Sequence, residues 1–323
     1  MNRRNLISLA AAIVAAVPLL ASAQDAFPTK PIRILVGTAP GALADIASRL
    51  YAERMSTFLK QPVLVDNVAG AATLLASRQT AKANPDGYTL HVNANTLVTV
   101  PHVNNKAGYS LKDFTGVGEL VRSPALLVVS AQAPFKTLGE LVAAAKAQPG
   151  AISYASGGMG TTSHLPVELL AREAGVKLTH TPYKGVAAAV PDVTAGRVSM
   201  MMATSTSTGE LIKSGALRPL AISSEKRSPA FPNVPTFKEL GYPEASFEIW
   251  IGMVAPAGIP RAVKARLGEA MEAARKDPQL VAKLQAAGQE ISNVRTPEQY
   301  DAVLRREDER FGKLIKEAGI TAE

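Results

Sequence analysis

The chain contains no cysteine among its 323 residues. No disulfide can staple the fold and no thiolate can hold a metal, so a packed core must carry the structure. Aromatic residues are scarce at 5%. With so few stacking platforms and with Lys and Arg dispersed, nucleic-acid binding is disfavoured despite a formal net charge of +8. The four histidines, His91, His102, His164 and His180, stand at no metal-ligand spacing. No Gly-x-Ser-x-Gly elbow is present, and Gly158-x-Gly160 lacks both the third glycine and the acidic ribose partner of a dinucleotide fingerprint. Beyond the N-terminus no apolar run reaches the length of a membrane span.

What is present begins with a leader. Asn2-Arg3-Arg4-Asn5 is a positive n-region, Leu6 to Leu20 an apolar h-region, and Ala21-Ser22-Ala23 a small-residue cleavage site. Residues 1–23 therefore read as a removed signal peptide, and the mature chain as periplasmic. The general secretory route fits better, and the paired arginines also allow twin-arginine export. Without Arg3 and Arg4, 33 basic residues face 27 acidic ones, a modest positive field that suits anionic solutes.

Strand patterns alternate with helical ones, the signature of an α/β protein with mostly parallel sheets. Strands are expected at Val63–Asn67, Tyr88–Val92, Leu126–Ser130, Leu178–Thr181, Val198–Ala203, Leu217–Ser223 and Ile249–Val254. Helices are expected at Ala71–Ala83, Leu138–Ala147 and Val186–Ala195, and through most of the chain after Pro260. Hinge-like composition near Arg122-Ser123-Pro124 and Glu244-Ala245-Ser246 divides the chain into one domain of 27–123 with 246–323 and an inserted domain of 124–245.

Two strand-to-turn-to-helix units repeat one design. In the first, the run Pro31–Ala39 leads through Pro40-Gly41-Ala42-Leu43-Ala44-Asp45 into a helix. In the second, Ile152–Ser156 leads through Gly157-Gly158-Met159-Gly160-Thr161-Thr162-Ser163-His164 into another. Small residues let a ligand approach the backbone, and the free N–H groups of a helix start favour an anion. Asp45 suits a helix start and organises its loop more than it touches an anion. The hydroxyls of Thr161 and Thr162 can cap the helix or donate to a ligand. Lys184 and Gly185 offer a charge and a third helix start, and Thr204 and Ser205 offer polar contacts. Met200, Met201 and Met202 read as core, and Asn67-Val68-Ala69-Gly70-Ala71 as a further wall. Ser156 with His164 leaves an esterase as the competing reading, with no acidic third member identifiable.

Several segments resemble one known family through essentially the whole mature chain. They include Phe27-Pro28-Thr29-Lys30-Pro31-Ile32-Arg33, Asn84-Pro85-Asp86-Gly87-Tyr88-Thr89-Leu90, Tyr154-Ala155-Ser156-Gly157, Gly160-Thr161, His164-Leu165, Pro182-Tyr183-Lys184-Gly185, Asn233-Val234-Pro235-Thr236 and Ala255-Pro256-Ala257-Gly258. In these the chain is similar to the periplasmic solute-binding proteins of tripartite tricarboxylate transporters, the Bug or TctC family. The resemblance implies a two-lobed, Venus-flytrap α/β receptor of type II-like build, without catalytic activity, cofactor or metal. It implies that an organic carboxylate is held by backbone N–H groups of two facing loops and passed to membrane permease subunits, or else reported to a signalling partner. The loops map onto Thr38, Ala39, Pro40, Gly41, Ala42, Leu43 and Asp45, and onto Ser156, Gly158, Gly160, Thr161, Thr162 and His164. Where relatives carry a richer glycine run this chain has Gly41-Ala42-Leu43, and Leu43 adds an apolar wall.

Overall fold

The computed structural model describes residues 27–287 and 289–320; the expected signal segment at 1–23 lies outside them. Ten strands and ten α-helices alternate along the described residues. The first half of the molecule is built from β1 (Ile32–Val36), α1 (Leu43–Leu59), β2 (Val63–Asn67), α2 (Leu74–Ala81), β3 (Thr89–Ala94) and α3 (Thr96–Val103). A 17-residue strand, β4 (Phe114–Ser130), leads into the second half. There follow α4 (Leu138–Ala147), β5 (Ser153–Ser156), α5 (Leu165–Ala174), β6 (Thr179–Pro182), α6 (Val186–Thr194), β7 (Met200–Thr204), α7 (Ser205–Lys213) and β8 (Leu217–Ile222). The chain then returns through β9 (Glu248–Pro256), α8 (Arg261–Arg275), α9 (Pro278–Ala286), β10 (Glu290–Ile291) and α10 (Pro297–Ala318).

The strands run in the order β2-β1-β3-β9-β4-β7-β5-β6, with β8 and β10 also paired to β4. The expected α/β class is what is seen, with a mixed rather than mostly parallel sheet. Parallel pairing holds where strand, helix and strand follow in sequence, as in β1 with β2 and β3, and β5 with β6 and β7. All the pairs that involve β4 or β9 are antiparallel. The two halves of β4 serve different sheets: Phe114–Pro124 pairs with β9, and Ala125–Ser130 with β7 and β8. At the changeover Pro124 lies opposite Glu248, and Arg122 bonds Glu119 at 2.6 Å and Glu248 at 2.8 Å, linking the two crossing strands.

The cores follow from the periodicities. β1 buries Ile32, Ile34, Leu35 and Val36 beneath α1, whose Ala47, Tyr51 and Met55 recur at helical spacing on one face. Each such fully buried aliphatic side chain contributes about 1.5–3 kcal/mol. Met200, Met201 and Met202 are buried on β7, as expected of core residues. α10 is stopped cleanly at both ends, by a Thr296–Gln299 capping box and by Gly319 in the left-handed region.

Candidate functional site

The parallel strands of both halves end on the same side, and the loops that leave them enclose a cavity of about 1280 Å³. This is the side on which open α/β sheets place ligands. Its wall takes residues from the loops after β1, β2 and β3 in one half and after β5, β6 and β7 in the other. Five helices begin on that wall: α1 at Leu43, α2 at Leu74, α3 at Thr96, α6 behind Gly185 and α7 behind Thr204. Each presents its positive dipole end, and first-turn N–H groups other than those of Leu74 and Val98, which are bonded to Ala71 O and Asn95 O, add donors there. Among the lining residues there is no acidic side chain and one cationic one, Lys184. The helix starts at Gly185 and Thr204 carry no side-chain cap and no acidic residue in the first turn.

The expected site residues divide into those on the wall and those behind it. Thr38, Ala39, Pro40, Gly41, Ala42, Leu43, Gly158, Thr161, Thr162, Lys184, Gly185 and Thr204 line the cavity. Asp45, Ser156, Gly160, His164 and Ser205 do not. Asp45 is the third residue of α1, 3% exposed, with its carboxylate accepting from Gly41 N at 2.8 Å and from the Arg49 and Asn67 side chains. Burial alone would raise its pKa; the bonds from Arg49, Gly41 and Asn67 outweigh that and hold it below the usual value. It supports the loop from behind rather than facing a ligand. The Thr38 hydroxyl is buried without a hydrogen-bond partner among the described residues, and neither the Thr162 hydroxyl nor the Lys184 ammonium has one among them.

In the second loop most polar groups are turned inward. Thr161 Oγ1 donates to Gly158 O at 2.6 Å and Gly157 N donates to Ser163 Oγ at 2.9 Å. Gly158 N donates to Ser156 Oγ, and Gly160 N to His164 Nδ1 at 3.4 Å. Gly160 is tucked under α3: its carbonyl accepts from Thr99 Oγ1 at 2.5 Å, and a Cβ there would stand 2.6 Å from Val103 Cγ2. It is a contact between the two halves of the molecule, where a ligand contact was expected.

The Ser156–His164 pair of the esterase reading is not formed. Ser156, fully buried, bonds His180 Nε2 at 2.6 Å, and the neighbouring acid, Glu168, accepts from the Tyr154 hydroxyl. Ser156 thus lies behind the wall without an acid–histidine–serine line. His164 packs against His180 with ring centroids 4.5 Å apart; burial first, then His180, pushes its pKa down to about 3.

Sequence reasoning missed Thr73, Asn93, Thr96, Val100 and Ile249 on the wall. Thr73 follows Ala71 and Ala72, and all three hold φ between 48° and 75°, where glycine is the usual occupant. Buried hydrogen bonds from Asn93 to Thr73 and from Thr73 to Thr96 fix this bend. Nothing in Ala71-Ala72-Thr73 signals it. The wall expected at Asn67–Ala71 is supplied by Ala69, Gly70 and Ala71 and the residues after them.

Known proteins share this construction. A Pseudomonas sp. protein of the tcbD-tcbE intergenic region is 36% identical over 324 residues, covering 100% of this chain and 96% of its own. The structure of the periplasmic binding protein BugD superposes with a TM-score of 0.84 at 32% identity, covering 92% of this chain and all of that one. An R. palustris protein solved with adipate gives 0.84 at 30% identity, covering 91% of this chain and 99% of its own. The model of the tripartite tricarboxylate transporter family receptor matches residues 47–320, and the chain belongs to that family of solute-binding receptors.

Proposed function

We propose that this protein is an extracytoplasmic receptor that captures an organic carboxylate in the cavity between its two halves and delivers it to permease subunits of the tripartite type. One observation carries the reading: five helix starts and Lys184 converge on a wall that holds no acidic side chain, an environment that favours an anion. Backbone N–H groups and the hydroxyls of Thr38 and Thr162 receive the carboxylate. Leu43, Val100 and Ile249 cover an apolar body. The adipate of the R. palustris relative is a ligand of this chemistry. The described residues of 27–123 and 246–323 form one lobe and 124–245 the other, and the two crossings, near Arg122-Ser123-Pro124 and Glu244-Ala245-Ser246, act as hinges. Closure then satisfies a ligand held from both sides, and the protein carries out no chemistry on it.

Calorimetry with adipate and dimethyl adipate tests the carboxylate requirement. Adipate is expected to bind and the diester not to; equal affinity for both would remove the anion from the account. An esterase assay on the same preparation is expected to give no turnover. Activity lost in both Ser156→Ala and His180→Ala would reinstate the enzyme reading.

A further inference from the structure

Two backbone groups of the loop at 37–42 are already committed away from the cavity. Gly41 N donates to the Asp45 carboxylate at 2.8 Å, and Thr38 O accepts from Asn67 Nδ2 at 3.0 Å. The same Asn67 Nδ2 donates to Asp45 Oδ1 at 2.9 Å, while its Oδ1 accepts from Arg49 Nη2 at 2.8 Å. Arg49 in turn bonds Asp45 at 2.9–3.0 Å. Three side chains from α1 and β2 therefore form a closed triangle that grips the loop near both ends. None of the three lines the cavity.

The physical consequence concerns the loop's freedom. Gly41 holds a φ of 81° and a Cβ there would meet nothing within 4 Å, so packing does not fix this turn. Two hydrogen bonds hold it: a long backbone bond from Ala42 N to Ala39 O at 3.3 Å, and the shorter charge-assisted bond from Gly41 N to Asp45, a class worth more than a neutral hydrogen bond. Burying that carboxylate is tolerable because Arg49 and Asn67 complete its partners.

We propose that Asp45, Asn67 and Arg49 act together as a positioning unit for ligand binding, setting which backbone groups of the loop at 37–42 face the ligand without touching it. The inference rests on the carboxylate-receptor reading of the cavity. It extends that reading to two residues, Arg49 and Asn67, that stand behind the wall.

The test uses the full mature chain, Asp45→Ala, Asp45→Asn and Asn67→Ala, with three readouts: melting, amide exchange at Gly41, and adipate affinity by calorimetry. Removing a hydrogen bond to a charged group is expected to weaken adipate by about ten-fold or more in Asp45→Ala. Asp45→Asn keeps an acceptor oxygen for Gly41 N and should lose less. Asn67→Ala should weaken binding and speed exchange at Gly41 while its melting stays close to that of the wild type, an outcome a merely structural role would not produce. Wild-type affinity in both Asp45→Ala and Asn67→Ala, with Gly41 exchange accelerated, would overturn the positioning role and leave the carboxylate reading intact. A wild type that binds no carboxylate would overturn both.

Discussion

The loop after β1 and the loop after β5 look alike in sequence, each a strand running through small residues into a helix, and the molecule builds them by different means. The first is held from behind by an ion pair and an amide of neighbouring elements, Asp45 with Arg49, and Asn67. The second is held by its own hydroxyls, those of Ser156, Thr161 and Ser163, by the His164 imidazole, and by the contact of Gly160 with α3 across the two halves. A shared pattern of small residues thus specifies backbone approach, while the supporting groups decide how rigid each loop is and what can disturb it. The first loop answers to charge. The second answers to packing and to histidine protonation.

The largest expected effect on this comparison comes from Gly160→Val. Its φ of 71° is costly for a side-chain-bearing residue, about 1–2 kcal/mol, and the overlap with Val103 adds about 1–3 kcal/mol. Melting should fall by several degrees and adipate binding should be lost by calorimetry. The corresponding Gly41→Ala should strain its own turn, at φ 81°, without any clash. If both substitutions cost the same, the distinction between a packed and an unpacked loop is wrong.

Acid should act on the second loop first. The His164 pKa lies at about 3, against 6.5 for the free side chain, and burial is the main cause. As pH falls below 6.5 the unfolded chain takes up the proton first, so this contribution to stability is full above that pH and is lost progressively down to about 3. Each such histidine costs about 1.4 kcal/mol per pH unit within the window. His91, buried and lowered to about 4, behaves likewise; His102, raised by its bond to Asp308, works in the opposite sense. Melting curves from pH 7 to 4 should therefore be flatter for His164→Gln than for the wild type. Equal slopes would show that His164 does not carry this dependence.

Thr99→Val is the smallest change. It removes one donor to Gly160 O while keeping the side-chain shape, at a cost of about 1 kcal/mol. Adipate affinity should fall several-fold with little change in melting. No change in affinity would mean that α3 does not help hold the loop against the ligand.

How far the sequence carried these features varies with the physics behind them. β1, β2, the helices α4 and α10 and the methionine strand β7 are legible because local pattern and tertiary environment agree. α3 was not, since four of the five residues Thr96-Leu97-Val98-Thr99-Val100 are β-branched and Pro101 follows, a strand-like pattern that tertiary burial overrides. The first half of β4 was missed for a related reason, because Gly116, Gly118 and Pro124 break its pattern. At the site, the small-residue turns stood out, and so did Lys184 and Gly185. His180 did not, because it stands 24 residues from Ser156 in the chain, and their partnership arises only from the parallel pairing of β5 with β6. Periodicity shows which face a residue occupies and says nothing of its neighbour across the sheet.

The central claim is that two differently built loops close on one carboxylate. Amide hydrogen exchange of the full mature protein, with and without saturating adipate, addresses it directly, since peptides covering 37–44 and 157–164 report each loop separately. The account predicts that both segments, together with α3, gain protection on binding, and that dimethyl adipate protects neither. Protection confined to one loop, or equal protection by the diester, would contradict it.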